Sequence, residues 1–426
     1  MTTKTHAEKI YNLQIEKNVY PGKGLAHACG QTIFVHGAVA GEVITARIIK
    51  TTRKFAEAIP VEITSASPNR INVDCPVALS PSEKCTCEMN YCPGCSYRHV
   101  DYNHEIAIKQ SHFISFLTQN IKDFSADLCG KPVPSPSCNF YRNKIVLHTA
   151  KGNEYYYLGY YGPDNKKIIC IKECPLAMRC INEKIKHIYD NRRTFFKDVS
   201  LPLRVVLRAS GNDSVIVWKG TKPVTETIIN ETISSGTIKV PAGSFFQVNP
   251  PLLNLLLSEF AGNIHTHNID TAVDIYGGVG IFGLTAALNG AKRIIISDVD
   301  KTAIKYANIN ASSFGIQNIT TIASSAEQLT KKFLNNVKKE TTLLILDPPR
   351  SGLSQKVIKA ILANPPFFIC YISCAPDTLG RDLSILTKSH YEIISARLFD
   401  MFPRTPYFES MSWLKLKERS ITVTVK

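Results

Sequence analysis

"TAVDIYGGVGIFGLTAALNG", running from Thr271 to Gly290, decides the fold class. An apolar, β-type run ends at Asp274, a glycine-rich turn follows, and residues with helical spacing close the stretch. Strand, turn and helix in that order form the opening unit of an open α/β sheet, whose glycines let backbone approach a ligand closely. The pattern repeats outward. "AKRIIISDVD" (291–300) reads as a second strand ending in acids, and "TAIKYANINASSFG" (302–315) as a helix. "TTLLILDPPRSGL" (341–353) and "FFICYISC" (367–374) are two more strands, each running into a polar, proline-containing loop. Continuous apolar strands alternating with helices imply a parallel sheet covered on both faces. Ligands of such sheets bind at the carboxyl ends of the strands, where Asp298, Asp347 and Cys374 fall.

The whole chain has 426 residues, which is long enough for two or three domains. Its 50 Lys+Arg against 35 Asp+Glu leave a formal charge of +15, which points to an anionic partner and most simply to nucleic acid. No block of like charge occurs, so the basic residues belong to folded surface. Neither a secretory h-region nor an apolar run of membrane length is visible, and the expected compartment is the cytoplasm, with no membrane partner. Of 13 cysteines, five fall between Cys75 and Cys95; in a chain of this size that crowding suggests metal rather than disulfides.

Three segments are expected. Residues 1–66 alternate apolar and polar positions between glycine turns, as in "GLAHACGQTIFVHGAVAGEVITARIIK", and read as an OB-like β-barrel able to bind single-stranded RNA. Lys50, Arg53 and Lys54 would meet phosphates, and loss of the barrel should weaken RNA binding without abolishing chemistry elsewhere. Residues 67–242 are expected to form a mixed α+β domain that contains the cysteine-rich stretch, a helix over about 102–124 expected to pack on the last domain, and a basic helix near 183–193. Residues 243–426 are the α/β domain.

The chemistry is read at the strand ends. "DIYGGVG" (274–280) lacks the third glycine of the dinucleotide fingerprint, so a pyrophosphate does not fit naturally. Asp298, 24 positions after Asp274, ends the second strand where a carboxylate can accept from ribose hydroxyls. A nucleoside without pyrophosphate describes S-adenosylmethionine. In "DPPR" (347–350), Arg350 occupies the place where adenine-N6 methylases carry an aromatic and cytosine-C5 RNA methylases a cysteine, which disfavours both substrates. Cys374 then has work to do. C5 of uracil is a poor nucleophile until a thiolate adds to C6, and after methyl transfer a base must remove the C5 proton so that the thiol can leave. Glu409, in "DMFPRTPYFESMSWL" (400–414), is the candidate base.

With "FFQVN", "DIYGGVG", "DPPRSGL", "SCAPDTLGRDL" and "DMFPRTPYFESM" in order between Phe245 and Trp413, the chain resembles the RNA uracil-C5 methyltransferases of the TrmA/RumA family. The barrel resembles the TRAM module, and the cysteine-rich stretch resembles the iron–sulfur region of the RumA branch. The resemblance implies Cys374 as nucleophile and Glu409 as base, with Gln247, Tyr276, Asp298, Ser325 and Asp347 contacting S-adenosylmethionine. It implies a [4Fe–4S] cluster on Cys92, Cys95, Cys174 and a first ligand that is Cys75 or Cys87, although four thiols alone would suit zinc equally. It also implies a monomer acting on 23S rRNA, with tRNA as the alternative substrate and a non-catalytic RNA-binding factor as the rival from another class. Departures from the family pattern include Ala375 after the nucleophile and Tyr407 in place of a histidine two residues before the base.

Overall fold

Alternation of apolar residues between Ile10 and Ser65 curls six strands into one sheet around a small core. They are β1 (Ile10–Gln14), β2 (Lys17–Val19), β3 (Lys23–Ala28), β4 (Gln31–His36), β5 (Val43–Thr51) and β6 (Phe55–Ser65), in the order β1-β5-β6-β4-β3-β2. Every neighbouring pair is antiparallel except β4 and β6. Leu13, Ile33, Val35, Ile44 and Ala46 fill the interior at alternate positions. The buried Glu42 marks the barrel's end: its carboxylate accepts from the N–H groups of Val39 and Ser67 and from the guanidinium of Arg70. The computed structural model describes residues 10–81, 90–152, 155–197, 203–211, 213–223, 226–333 and 341–418; Cys87 lies outside the described residues.

Helix α1 (Tyr102–Asn120) starts where the Asp101 side chain accepts from the N–H groups of Asn103 and His104. It ends at Asn120 rather than near 124, because Ile121 turns extended and Asp123 takes a φ of 57°. Phe113 and Leu117 enter the same core as Leu379 and Leu383, so α1 packs on the C-terminal domain. The central sheet is antiparallel, in the order β11-β10-β7-β8-β9, from β7 (Lys144–Lys151), β8 (Tyr156–Tyr161), β9 (Ile168–Cys170), β10 (Arg204–Ser210) and β11 (Ser214–Lys219). α2 (Arg179–Asp190), followed by the single turn α3 (Arg192–Phe195), lays Ile181, Ile185 and Ile188 on one face. The hairpin β12 (Ile228–Ile233) and β13 (Gly236–Pro241) precedes residue 243, yet Ile229, Ile238 and Val240 share a core with α4 (Pro250–Thr266).

The C-terminal sheet has seven strands: β14 (Thr271–Asp274), β15 (Arg293–Asp298), β16 (Ile319–Ala323), β17 (Thr342–Leu346), β18 (Phe368–Ser373), β19 (Tyr391–Phe399) and β20 (Glu409–Leu416). Their order is β16-β15-β14-β17-β18-β20-β19, the first five parallel, with β20 inserted antiparallel between β18 and β19. Two apolar cores lie on opposite faces, covered by α4, α5 (Ile281–Leu288), α6 (Lys301–Ser313), α7 (Ala326–Phe333), α8 (Gln355–Ala363) and α9 (Pro376–Ser389). The chain moves outward from β14 to β16, then returns to add β17 on the other side. That reversal opens a crevice above the carboxyl ends of β14 and β17. Among the described residues no helix is long and apolar enough to cross a membrane.

Candidate active site

Asp274 ends β14 with its carboxyl fully buried: Oδ2 accepts from the N–H of Gly283 at 3.2 Å and Oδ1 has no partner. Burial, then the charge of Asp347, pushes it up to about 8. The following turn must be glycine, since a Cβ on Gly277 would stand 2.5 Å from Ile296. Gly280, at φ 94°, opens α5. Asp298, at the end of β15, leans over this turn, accepting from the N–H of Gly278 at 3.0 Å and of Asp300 at 2.9 Å. Beside it Val299 is 72% exposed, an apolar side chain left open at the crevice. Tyr276, half-buried, follows β14, Ser325 follows β16 and Asp347 follows β17, so these residues share one edge of the sheet with Asp298.

Gln247 comes from outside the sheet and is held there by the central domain. Asn143 donates from Nδ2 to its carbonyl at 3.2 Å and from its backbone N–H to that of Val248. The buried Arg208 donates to the carbonyls of Ala242 and Ser244, both at 3.0 Å. Ser244 in turn donates to Asp300 at 2.9 Å, which ties this segment to the end of β15. Phe245 projects from it, 73% exposed.

Across the crevice, the antiparallel register pairs Ser373 with Ser410 and brings the end of β18 to the start of β20. Cys374 and Glu409 therefore sit at the same edge. The Cys374 thiol is pushed up to about 11 by burial and by Glu409, while Arg350 opposes this with its charge and a hydrogen bond. Glu409 is 3% exposed and its Oε2 has no partner. Burial and Asp347 hold its carboxyl well above the usual range, with Arg350 pulling the other way. The Arg350 guanidinium also lies 4.5 Å over the Tyr407 ring. Its position follows from α9: Thr378 donates to the Arg350 carbonyl, Arg381 to that of Ser351, and Asp382 accepts from the N–H of Leu353 and the hydroxyl of Tyr371. The loop after β17 is thus fastened to the helix that follows Cys374. Sequence reading used Arg350 only to exclude substrates and Tyr407 only as a departure, and it passed over Asp274 and Asp382; their place inside ordered motifs was the available signal.

The loop carrying Tyr407 and Glu409 rests on a buried ionic cluster. Lys109 of α1 donates to Asp400 at 2.6 Å, to Glu105 at 2.7 Å and to the carbonyl of Phe402. Burial disfavours the Lys109 charge, but Asp400 and Glu105 outweigh it and raise its pKa. Arg404 donates its N–H to Glu105, and Tyr102 donates to Asp400.

Near this loop lie the cysteines. Cys92, Cys95 and Cys174 line one cleft of about 440 Å³ with Arg142, Lys144 and Tyr160. The segment of Cys75 runs beside Cys92, whose N–H donates to the Val77 carbonyl at 2.6 Å. Burial pushes the Cys92 thiol up to about 11, and Cys174 and Cys75 add to it. Cys75, Cys92, Cys95 and Cys174 face one another closely enough to act on each other's ionisation. Among the described residues, however, no three Cys, His, Asp or Glu side chains close into a metal-holding group, so the iron–sulfur expectation is not shown.

Comparison with known proteins accords with this layout. A family model described as tRNA (uracil-5-)-methyltransferase matches residues 176–417, and a TRAM domain model matches residues 8–61. An uncharacterized RNA methyltransferase of Bacillus anthracis is 27% identical over 98% of this chain and all of its own length. One from Aquifex aeolicus is 27% identical over 96% of this chain and all of its own. The solved tRNA (uracil-54, C5)-methyltransferase of Pyrococcus abyssi, in complex with S-adenosyl-L-homocysteine, has a similar fold. It is 22% identical with a TM-score of 0.69, covering 94% of this chain and 99% of that one.

Proposed function

From membership of the tRNA (uracil-5-)-methyltransferase family, to which this chain belongs, we propose that it makes 5-methyluridine at one site of 23S rRNA through a covalent bond between Cys374 and C6 of uracil. That it is an S-adenosylmethionine-dependent RNA uracil-C5 methyltransferase follows from the family; the RNA, the adduct and the residue roles are our reading. The observation that carries it is the meeting of Cys374, Arg350 and Glu409 at the edge where β18 and β20 pair.

Cys374 adds to C6, and the C5–C6 electron pair moves into the ring as an enolate. C5 takes the methyl carbon as the sulfonium bond breaks, releasing S-adenosylhomocysteine. Glu409 then removes the C5 proton, the double bond re-forms, and the thiolate leaves C6. Arg350 and the N-terminus of α9, which opens just after Cys374, both favour the thiolate. S-adenosylmethionine supplies the methyl group and a positive charge, which favours ionised carboxyls nearby. Asp298 suits its ribose hydroxyls, Val299 its adenine face, and Gln247, Tyr276, Ser325 and Asp347 complete its cradle. Phe245, exposed beside Gln247, offers a ring on which a base can stack.

Cys92, Cys95 and Cys174, which line one cleft, and Cys75 are the residues that would hold a [4Fe–4S] cluster, with Cys75 preferred as first ligand because its segment pairs with that of Cys92. Iron and sulfide analysis of anaerobically purified protein, wild type and Cys75→Ser, tests this; zinc without iron rejects it. Mapping of 5-methyluridine in rRNA and tRNA from cells lacking the gene tests the substrate. Loss from tRNA alone would establish the second reading, which the tRNA enzyme of matching architecture favours. The enzyme is read as a monomer.

A further inference from the structure

One turn of the N-terminal barrel reaches the loop of Tyr407, beside the proposed nucleophile. Tyr20 lies between β2 and β3, and its ring meets Tyr407 edge-on with centroids 6.4 Å apart. On its other sides stand Phe116 at 5.4 Å and His112 at 6.3 Å, both on α1. Tyr407 is the ring under the Arg350 guanidinium, and Arg350 hydrogen-bonds Cys374. Tyr407 and Arg350 thus form one line of contacts from the barrel turn to Cys374. Burial, Tyr407 and Asp377 push the Tyr20 phenol up to about 12, and Arg350 and Cys374 also act on it.

The turn is seated tightly. A Cβ on Gly22 would stand 2.7 Å from that of Ser96 and 3.3 Å from that of Pro406, and φ at this glycine is 77°. The His112 ring contacts the Asn18 carbonyl at 3.1 Å. Tyr20 is thus fixed relative to the loop of Tyr407 while its own side chain stays partly open.

We propose that Tyr20 is part of the target-base pocket: its ring, with Tyr407 and Arg350, forms the wall that holds the extruded uracil over Cys374. An enzyme acting on a base inside RNA must draw it out of the stack and replace the lost stacking with flat side chains, and aromatic rings and guanidinium planes serve this. The proposal rests on the reading of Cys374 as nucleophile. It gives the barrel a share in the chemical step, so that its removal costs rate at saturating RNA and not affinity alone.

The test compares Tyr20→Phe, Tyr20→Leu and Tyr20→Ala with wild type in single-turnover methylation at saturating enzyme, below the lowest melting temperature of the set. Adduct formation on RNA carrying 5-fluorouridine is followed in parallel, since fluorine at C5 leaves no proton to remove. Tyr20→Phe should stay close to wild type. Tyr20→Leu and Tyr20→Ala should slow both methyl transfer and adduct formation, on the order of tenfold to a hundredfold, the value of one aromatic–base stack. Tyr20→Leu keeps apolar packing on Phe116 and loses the flat ring, so it decides the matter if Tyr20→Ala is poorly folded. Wild-type rates in Tyr20→Leu or Tyr20→Ala overturn the proposal. Failure of the wild type to form an adduct, or adduct formation by Cys374→Ala, would count against the nucleophile assignment instead.

Discussion

Replacing Glu409 by glutamine should stop the enzyme after methyl transfer and before release. The substitution is close to isosteric, and the altered atom is Oε2, which has no partner. Burial and Asp347 raise the carboxyl above its usual range and so favour the uncharged form, which glutamine copies. Folding stability should therefore change by no more than about 1 kcal/mol, the scale of a single neutral hydrogen bond. The chemical loss is much larger. A positioned general base is worth about 10²- to 10⁴-fold, or roughly 3–5 kcal/mol of barrier at about 1.4 kcal/mol per decade. Attack by Cys374 and methyl transfer do not need that base, so a methylated protein–RNA species should accumulate to near one equivalent of enzyme. A denaturing gel with end-labelled RNA and a labelled methyl donor reads both. Cys374→Ala should show neither shifted band nor methylated RNA. Normal turnover by Glu409→Gln would mean another group takes the C5 proton, and a shifted band without the label would mean Glu409 acts before methyl transfer.

Other consequences can be measured without RNA. Alkylation of Cys374 by iodoacetamide should rise with pH toward a midpoint near 11; Arg350→Ala should move it up, and a donor analogue with an amine in place of the sulfonium should move it down. An unmoved midpoint in Arg350→Ala would remove that guanidinium from thiolate stabilisation. Lys109→Met leaves Asp400 buried without its cation and Glu105 with the Arg404 guanidinium alone, at 3.5 Å, and should cost about 3–5 kcal/mol in denaturant unfolding; a change below about 1 kcal/mol would show the cluster to be dispensable. Asp274, near 8 folded and about 4 unfolded, binds an extra proton in the native state, so its contribution is full below pH 4 and declines as pH rises through 8. Asp274→Asn should remove that decline from the stability-versus-pH curve, and parallel curves would contradict the assignment.

The α/β domain was legible because its strands are short apolar runs that end in chemistry-bearing residues. Asp274, Asp298, Asp347 and Cys374 mark strand ends that pair in the sheet or lead directly out of it. Glu409 was legible only through its motif, since the register that sets it beside Cys374 is a long-range fact with no local trace. The same limit hid the hairpin of β12 and β13, whose alternating residues show a buried face without saying against what. Tyr20 gave no signal at all: a tyrosine in a barrel turn carries no mark of the loop it will meet. The first ligand stayed open between Cys75 and Cys87 in the sequence, and what adds weight to Cys75 is a backbone pairing of Val77 and Ala78 with Cys92 that no spacing shows.

The place of β20 has a consequence for how the protein is made. Among the described strands it is the last in the chain, yet it fills an interior slot between β18 and β19. Until it arrives, β18, whose six residues are all buried in the finished sheet, has one unpaired edge, and the nascent chain holds a sticky gap that invites pairing with a neighbour. The residue that opens this strand is Glu409. A chain cut short anywhere before it lacks the proposed proton acceptor and the strand that seals the sheet together, so incomplete products should be both inactive and prone to aggregate. Arrival of β20 and acquisition of the proposed base are, in this fold, a single event.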